Sequence, residues 1–156
     1  MSVDHKTIAV LMGGPGSERE VSIASGKSVS KALAEKGAAV IDVVLEDESL
    51  DLEDEVDLVF NVIHGTFGED GSLQKILNER RIPYTGAGAS SSELAFDKLL
   101  SKKSFVEHGV NTPLFDFIST SGESQTSIKE PYVIKPPKEG SSVGVHIIRY
   151  ASEFDE

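Results

Sequence analysis

The chain is 156 residues long, about one domain by length with room for part of another, and 38% of it is hydrophobic, ample for a packed core. Cysteine is absent, which excludes disulfides, thiolate nucleophiles and Cys-based zinc sites. A net charge of −11 argues against general nucleic-acid binding, yet most of it comes from eight acids with no base between Glu46 and Asp57; elsewhere 18 acids face 15 Lys and Arg.

Thr7 to Met12 (TIAVLM) reads as a short buried strand that ends in the tight turn Gly13-Gly14-Pro15-Gly16. A helix follows. Ser17 and Glu20 form a possible S-x-x-E capping box, Val21, Ala24, Val29, Ala32 and Leu33 recur at helical spacing, and Gly37 stops the run. Glu18 then falls in the first turn, where a carboxylate compensates the helix dipole even without a ligand. Ala39 to Leu45 and Leu58 to Ile63 read as the second and third strands, and the acidic run between them as a solvated surface connection. Helix Ser72 to Arg81 presents Leu73, Ile76 and Leu77 on one face. Ile82 to Thr85 reads as a short fourth strand, and Ser90 with Glu93 as a second capping box.

Alternation of buried strands with helices implies a mainly parallel, doubly wound α/β sheet. In such sheets the loops after the strands gather at one edge, near a topological switch point where ligands bind. Glu18 lies in the loop after the first strand. His64 opens the loop after the third, His64-Gly65-Thr66-Phe67-Gly68-Glu69-Asp70-Gly71-Ser72-Leu73-Gln74. Its glycines permit conformations closed to other residues and close approach of a ligand to the main chain, and Glu69 and Asp70 suit the positive end of the following helix. A lone histidine is commonly a satisfied loop residue; the flanking glycines and the expected nearness of Glu18 favour a functional one.

From Asp97 the character changes. Lys98 to His108 is a basic helix closed by Gly109, Phe115 to Ile118 alternates as a half-buried strand does, and Ser119 to Ser127 is linker-like. Tyr132 to Lys135 and Val145 to Ile148 are strands around the polar loop Pro136 to Gly144, hence an antiparallel hairpin in a separate layer. Ser152 is a candidate start for one more helix. The loop Lys138-Glu139-Gly140-Ser141-Ser142-Val143-Gly144 offers backbone N–H groups and hydroxyls suited to a polyphosphate, with Lys135 at its base; it reads equally as a plain hairpin tip.

Two apparent motifs fail on context. Gly26-Lys27-Ser28 resembles the end of a phosphate-binding loop but lies inside a helix. Gly140-Ser141-Ser142-Val143-Gly144 fits G-x-S-x-G, yet the chain continues as a strand where a nucleophile elbow requires a helix.

Six collinear stretches resemble D-alanine–D-alanine ligase, of the ATP-grasp superfamily: IAVLMGG, Ser17 to Ser22, HGTFGEDGSLQ, IPYTGAG, Asp97-Lys98 and VIKPPKEGSSVG. Lys75 departs from the small residue usual after the glutamine. The resemblance implies an N-terminal substrate-binding domain over 1–96, Rossmann-like and of pre-ATP-grasp type. Residues 97–156 would be part of an α+β ATP-grasp subdomain with antiparallel strands. It implies an ATP-dependent ligase that makes an acyl phosphate of one D-alanine for attack by the amine of a second, in peptidoglycan precursor synthesis.

Among site residues, Glu18 would hold the ammonium of the first D-alanine, His64 would lie near its carboxylate, and Ser141 would hydrogen-bond toward Glu18. Lys98, Lys135, Glu139, Gly140 and Ser142 would bind ATP. The family's magnesium carboxylates and most of its acceptor pocket belong to a C-terminal part beyond Glu156, so no metal ligand is expected here and the chain alone is expected to be inactive. Two alternatives stand beside this one: a non-catalytic amino-acid-binding module, and a related ligase with D-lactate or D-serine as acceptor. No signal-like segment precedes the first apolar run and no stretch is long enough to span a bilayer, so a cytoplasmic protein is expected, homodimeric when complete.

Overall fold

The computed structural model describes residues 4–52, 55–118 and 126–154. They form a mixed α/β protein whose contacts divide it into two compact units, Met1–Glu93 and Leu94–Glu156.

The first unit is built on β1 (Thr7–Gly13), whose residues from Ile8 to Met12 are wholly buried. It lies centrally in a parallel sheet of order β2-β1-β3, between β2 (Ala39–Leu45) and β3 (Leu58–Asn61). Alternate residues of β1 point to opposite faces, and each set meets its own cover. Ile8, Val10 and Met12 pack with Ile23, Val29 and Leu33 of α1 (Arg19–Glu35). Ala9, Leu11 and Val59 pack with Leu73 and Leu77 of α2 (Ser72–Glu79), and with Phe67. Burial of each such side chain stabilises the fold by about 1.5–3 kcal/mol. The sheet is therefore doubly wound: α1 covers one face, α2 the other, and the two loops that start those excursions leave adjacent strand ends.

Several local expectations are corrected. No capping box forms over Ser17 and Glu20: α1 starts at Arg19, with Glu18 as its N-cap and no side-chain capping bond. The buried positions of α1 are Ser22, Gly26 and Ser30, while Val21 is exposed, as are Ala24 and Ala32. Close approach explains the choice, since a Cβ added at Gly26 would stand 2.6 Å from Met12 Cβ. Small residues fill the centre of the contact, and the larger Ile23, Val29 and Leu33 flank it. The acidic connection keeps its described acids exposed but is not merely solvated: Leu50 is buried, and Leu52 and Val56 pack on the same core. It crosses from β2 past β1 to β3 and so has to cover apolar sheet. The fourth strand reduces to a single parallel bridge between Val59 and Tyr84.

In the second unit, α4 (Lys98–Glu107) follows α3 (Ala89–Phe96), which begins in the first unit. Ser90 lies inside α3 and Glu93 pairs with Lys75 at 2.9 Å, so the second capping box is absent as well. Asp97 caps α4, its Oδ1 accepting from the amides of Leu99 and Leu100 at 2.9 and 3.2 Å. Phe115 to Ile118 is not a strand. The linker-like segment falls largely outside the described residues. β4 (Tyr132–Ile134) and β5 (His146–Ile148) pair antiparallel, Tyr132 opposite Ile148 and Ile134 opposite His146. A short 3₁₀ turn, Ala151–Phe154, follows. No helix among the described residues is long and apolar enough to cross a membrane.

Candidate functional site

The loops after β1 and β3 converge at the carboxyl edge of the sheet. A Cβ added at Gly14 would meet Ile63 Cγ2 at 2.7 Å, one at Gly16 the His64 carbonyl oxygen at 3.6 Å, and one at Gly65 the Glu18 carboxylate at 3.3 Å. Glycine is required for conformation too at Gly14 and Gly65, whose φ angles are +92° and +70°. Glu18 and the His64–Gly65 peptide thus share one crevice, at the point where the chain turns to opposite faces of the sheet.

Ser22 locks the two loops together. Its hydroxyl accepts from the Gly13 amide at 2.8 Å and donates to the Val62 carbonyl at 2.7 Å, and the residue is fully buried. Reasoning from the sequence missed this residue, because serine inside a helix carries no pattern of its own; the Ser22-Gly26-Ser30 spacing of four was the available signal.

The β3 loop is held by its own polar side chains. Asn61 Oδ1 accepts from the Ile63 amide at 3.0 Å, while Asn61 Nδ2 and Gln74 Nε2 each donate to the Gly68 carbonyl at 2.8 Å. Asp70 accepts from the Phe67 amide at 3.0 Å and the Ser72 amide at 2.9 Å, which ties the loop to the start of α2. Burial raises the pKa of this carboxyl, but the bonds from Phe67 and Ser72 together outweigh it and leave the pKa lowered. Phe67 adopts φ +74° and is buried in the core, anchoring the loop from beneath.

His64 is half-buried. Its Nδ1 lies 3.5 Å from Glu69 Oε1, and its Nε2 is buried without a hydrogen-bond partner among the described residues. Glu69, expected only to favour the helix N-terminus, is therefore the histidine's neighbour, and Asp70 alone serves α2.

In the second unit, Lys98 Nζ donates to the carbonyls of Glu139 and, at 3.5 Å, Pro137, while its amide donates to Pro137 at 2.9 Å. The start of α4 is thus fastened to the loop after β4. Ser141, Ser142 and Gly144 have φ of +48°, +65° and +64°, and the Val143 amide closes a turn on Gly140 at 3.0 Å. Successive residues of this kind form concave arrays of N–H groups suited to anions. Lys135, Glu139, Ser141 and Ser142 are exposed. Lys98, Glu139, Gly140 and the serines are brought together on one loop and its anchor. Among the described residues, no group of three or more His, Asp or Glu could hold a metal ion.

Residues 43–87 match the family model described as D-ala D-ala ligase N-terminus. A D-alanine–D-alanine ligase of Methylacidiphilum infernorum is 41% identical over 149 residues, 96% of this chain and 48% of that protein. That of Rickettsia typhi is 45% identical over 152 residues, 96% of this chain and 47% of that protein. This chain is similar throughout to the N-terminal portion of D-alanine–D-alanine ligases. The crystal structure of the Bacillus anthracis D-alanine–D-alanine ligase agrees in fold, with a TM-score of 0.84 and 30% identity over 96% of this chain and 51% of that one. The chain spans about half the length of the curated ligases it matches. The ligase family model covers β3, the His64 loop and α2, and so the Gly65 side of the crevice.

Proposed function

We propose that this chain supplies the first amino-acid site and part of the ATP site of an ATP-dependent D-alanine–D-alanine ligase. The observation that carries the reading is the placement of the Glu18 carboxylate against Gly65, at the crevice where the β1 and β3 loops meet. A carboxylate there suits the ammonium of an amino acid, and the imidazole of His64, the residue before Gly65, suits the substrate carboxylate. Residues 1–96 form the substrate domain in this reading, and residues 97–156 contribute to nucleotide binding.

Bound ATP supplies the phosphoryl group that turns the D-alanine carboxylate into an acyl phosphate. The chain's own residues orient and neutralise. Lys98 commits part of its donor capacity to the Glu139 and Pro137 carbonyls; its remaining charge and that of Lys135 offset the phosphates. The N–H array from Gly140 to Gly144, with the Ser142 hydroxyl, covers them. Ser141 on the same loop is the proposed partner of Glu18. In this reading magnesium is held by carboxylates other than the described ones. A cytoplasmic, homodimeric complete enzyme serving peptidoglycan synthesis belongs to the same proposal, with D-lactate and D-serine as alternative acceptors.

The test is a pair of amide chemical-shift titrations on this chain. D-alanine is expected to move signals over residues 13–18 and 64–71, and ATP those of residues 97–98 and 135–144. D-alanine shifts confined to the second group, or ATP shifts confined to the first, overturn the assignment.

A further inference from the structure

We infer that Glu69 is a positioning residue for His64: it accepts the Nδ1–H of the imidazole and so leaves Nε2 as the atom offered to the ligand. The inference rests on the amino-acid-site reading given above and goes beyond it, by assigning the tautomer and the group that sets it.

Two independent observations carry it. His64 Nδ1 stands 3.5 Å from Glu69 Oε1, within ion-pair range. On the other side of the ring, Nε2 is buried and has no partner among the described residues. A carboxylate accepts and cannot donate when ionised, so a ring nitrogen facing Glu69 carries a proton in either ionisation state of the histidine. The proton on Nε2 is then the only one that varies. Neutral His64 offers a lone pair at Nε2; charged His64 offers an N–H, the form a substrate carboxylate requires, with Glu69 as its counter-charge. The ring is half-exposed overall, whereas its unpartnered nitrogen is enclosed. A buried polar atom without a partner is costly, and a ligand that supplies the partner recovers that cost.

The loop is built to keep Glu69 in this place. The Glu69 amide donates to the Gly65 carbonyl at 2.9 Å, which folds the turn so that residues 64 and 69 face each other. Asp70, next in sequence, is occupied by the Phe67 and Ser72 amides and is not available to the ring. The other carboxylate at the crevice, Glu18, lies against Gly65. The two acids thus divide the work: Glu18 faces the ammonium, and Glu69 acts only through the imidazole.

The experiment reads the tautomer directly, without substrate. Long-range proton–nitrogen correlation spectra of the ¹⁵N-labelled chain distinguish Nδ1–H, Nε2–H and doubly protonated imidazoles, and are recorded at about pH 8.5, above the free-imidazole value. Wild-type His64 is expected as Nδ1–H. Glu69→Ala is expected to return it to the Nε2–H form that free imidazoles favour, and Glu69→Gln, whose amide oxygen can accept the same bond, to restore Nδ1–H. A merely structural Glu69 would leave the tautomer unchanged in a folded variant. A wild-type Nε2–H tautomer, or one indifferent to Glu69→Ala, overturns the inference; should Glu69→Ala fail to fold, the wild-type spectrum still decides. Loss of the D-alanine titration with the tautomer as expected would refute the substrate reading and leave only the control of the His64 tautomer by Glu69 standing.

Discussion

Glu18 reaches the backbone of Gly65 so closely that a Cβ there would stand 3.3 Å from Glu18 Oε2. Gly65→Ala therefore acts twice. The left-handed φ of +70° costs a residue with a Cβ roughly 1–2 kcal/mol, and the new methyl group displaces the carboxylate. A lower urea midpoint and weaker D-alanine binding are expected together. Gly88→Ala, with open space around its Cβ and no left-handed φ, is expected to change neither.

Ser22→Ala leaves the Gly13 amide and the Val62 carbonyl without their shared partner. A buried polar group left unsatisfied costs about 1–3 kcal/mol, so a loss of roughly 2 kcal/mol or more in unfolding free energy is expected. Hydrogen exchange adds a local readout: the Gly13 amide should exchange faster than the amides of neighbouring β1 residues. A variant as stable as the wild type would show that the hydroxyl does not join the two loops.

Asp70 gives stability a pH dependence of known sign. Its pKa is lowered from 3.8 in the folded protein. A depressed carboxyl pKa stabilises the fold fully above the unfolded value, and that contribution is lost as pH falls through the folded value. Asp70→Asn is expected to be less stable than the wild type at neutral pH, with the difference shrinking below about pH 3.8 and continuing to shrink toward the lower folded value. Denaturation curves for both proteins, stepped from neutral into acid, check this; a difference independent of pH would remove the charge from the explanation.

Glu18→Gln and Lys135→Ala are expected to separate the two substrates in a protein carrying both ligase halves. On the proposed reading, the first removes the charge assigned to the D-alanine ammonium, and the second a charge assigned to the nucleotide phosphates. Loss of a charge-assisted bond costs about 1.5–3 kcal/mol, on the order of a tenfold to hundredfold effect. Nucleotide binding without D-alanine and D-alanine dependence at saturating ATP distinguish them. Equal loss of nucleotide affinity in both variants, with normal D-alanine dependence, would refute the role of Glu18.

What was legible in the sequence follows from which forces dominated locally. β1 was readable because a strand buried on both faces is apolar at every position from Ile8 to Met12. Leu73, Ile76 and Leu77 revealed the inner face of α2 because ordinary amphipathic packing governs it. The convergence of Glu18 and His64 was foreseeable too, since parallel strands send their following loops to one edge.

Other features depended on tertiary distance. The inner face of α1 was legible in part: Val29 and Leu33 pack on the core as expected, but close approach to Met12 puts Ser22, Gly26 and Ser30 at the centre of the contact and leaves Val21, Ala24 and Ala32 exposed. Both capping boxes were local patterns that did not form: α1 starts at Arg19, past Ser17, and Glu93 pairs with Lys75. The Glu69–His64 pairing depends on how a five-residue turn closes, which spacing alone leaves open.

Among the described residues, the sheet order β2-β1-β3 leaves β2 with one unpaired edge. Val44 on that strand is 46% exposed, and the chain then enters Glu46, Asp47 and Glu48, all exposed. An open strand edge is a template for pairing with another chain, and charge is a common way of blunting it. The acidic run thus gains a colloidal role beside its topological one: at neutral pH, a second copy of the chain approaching the end of this strand meets like charge.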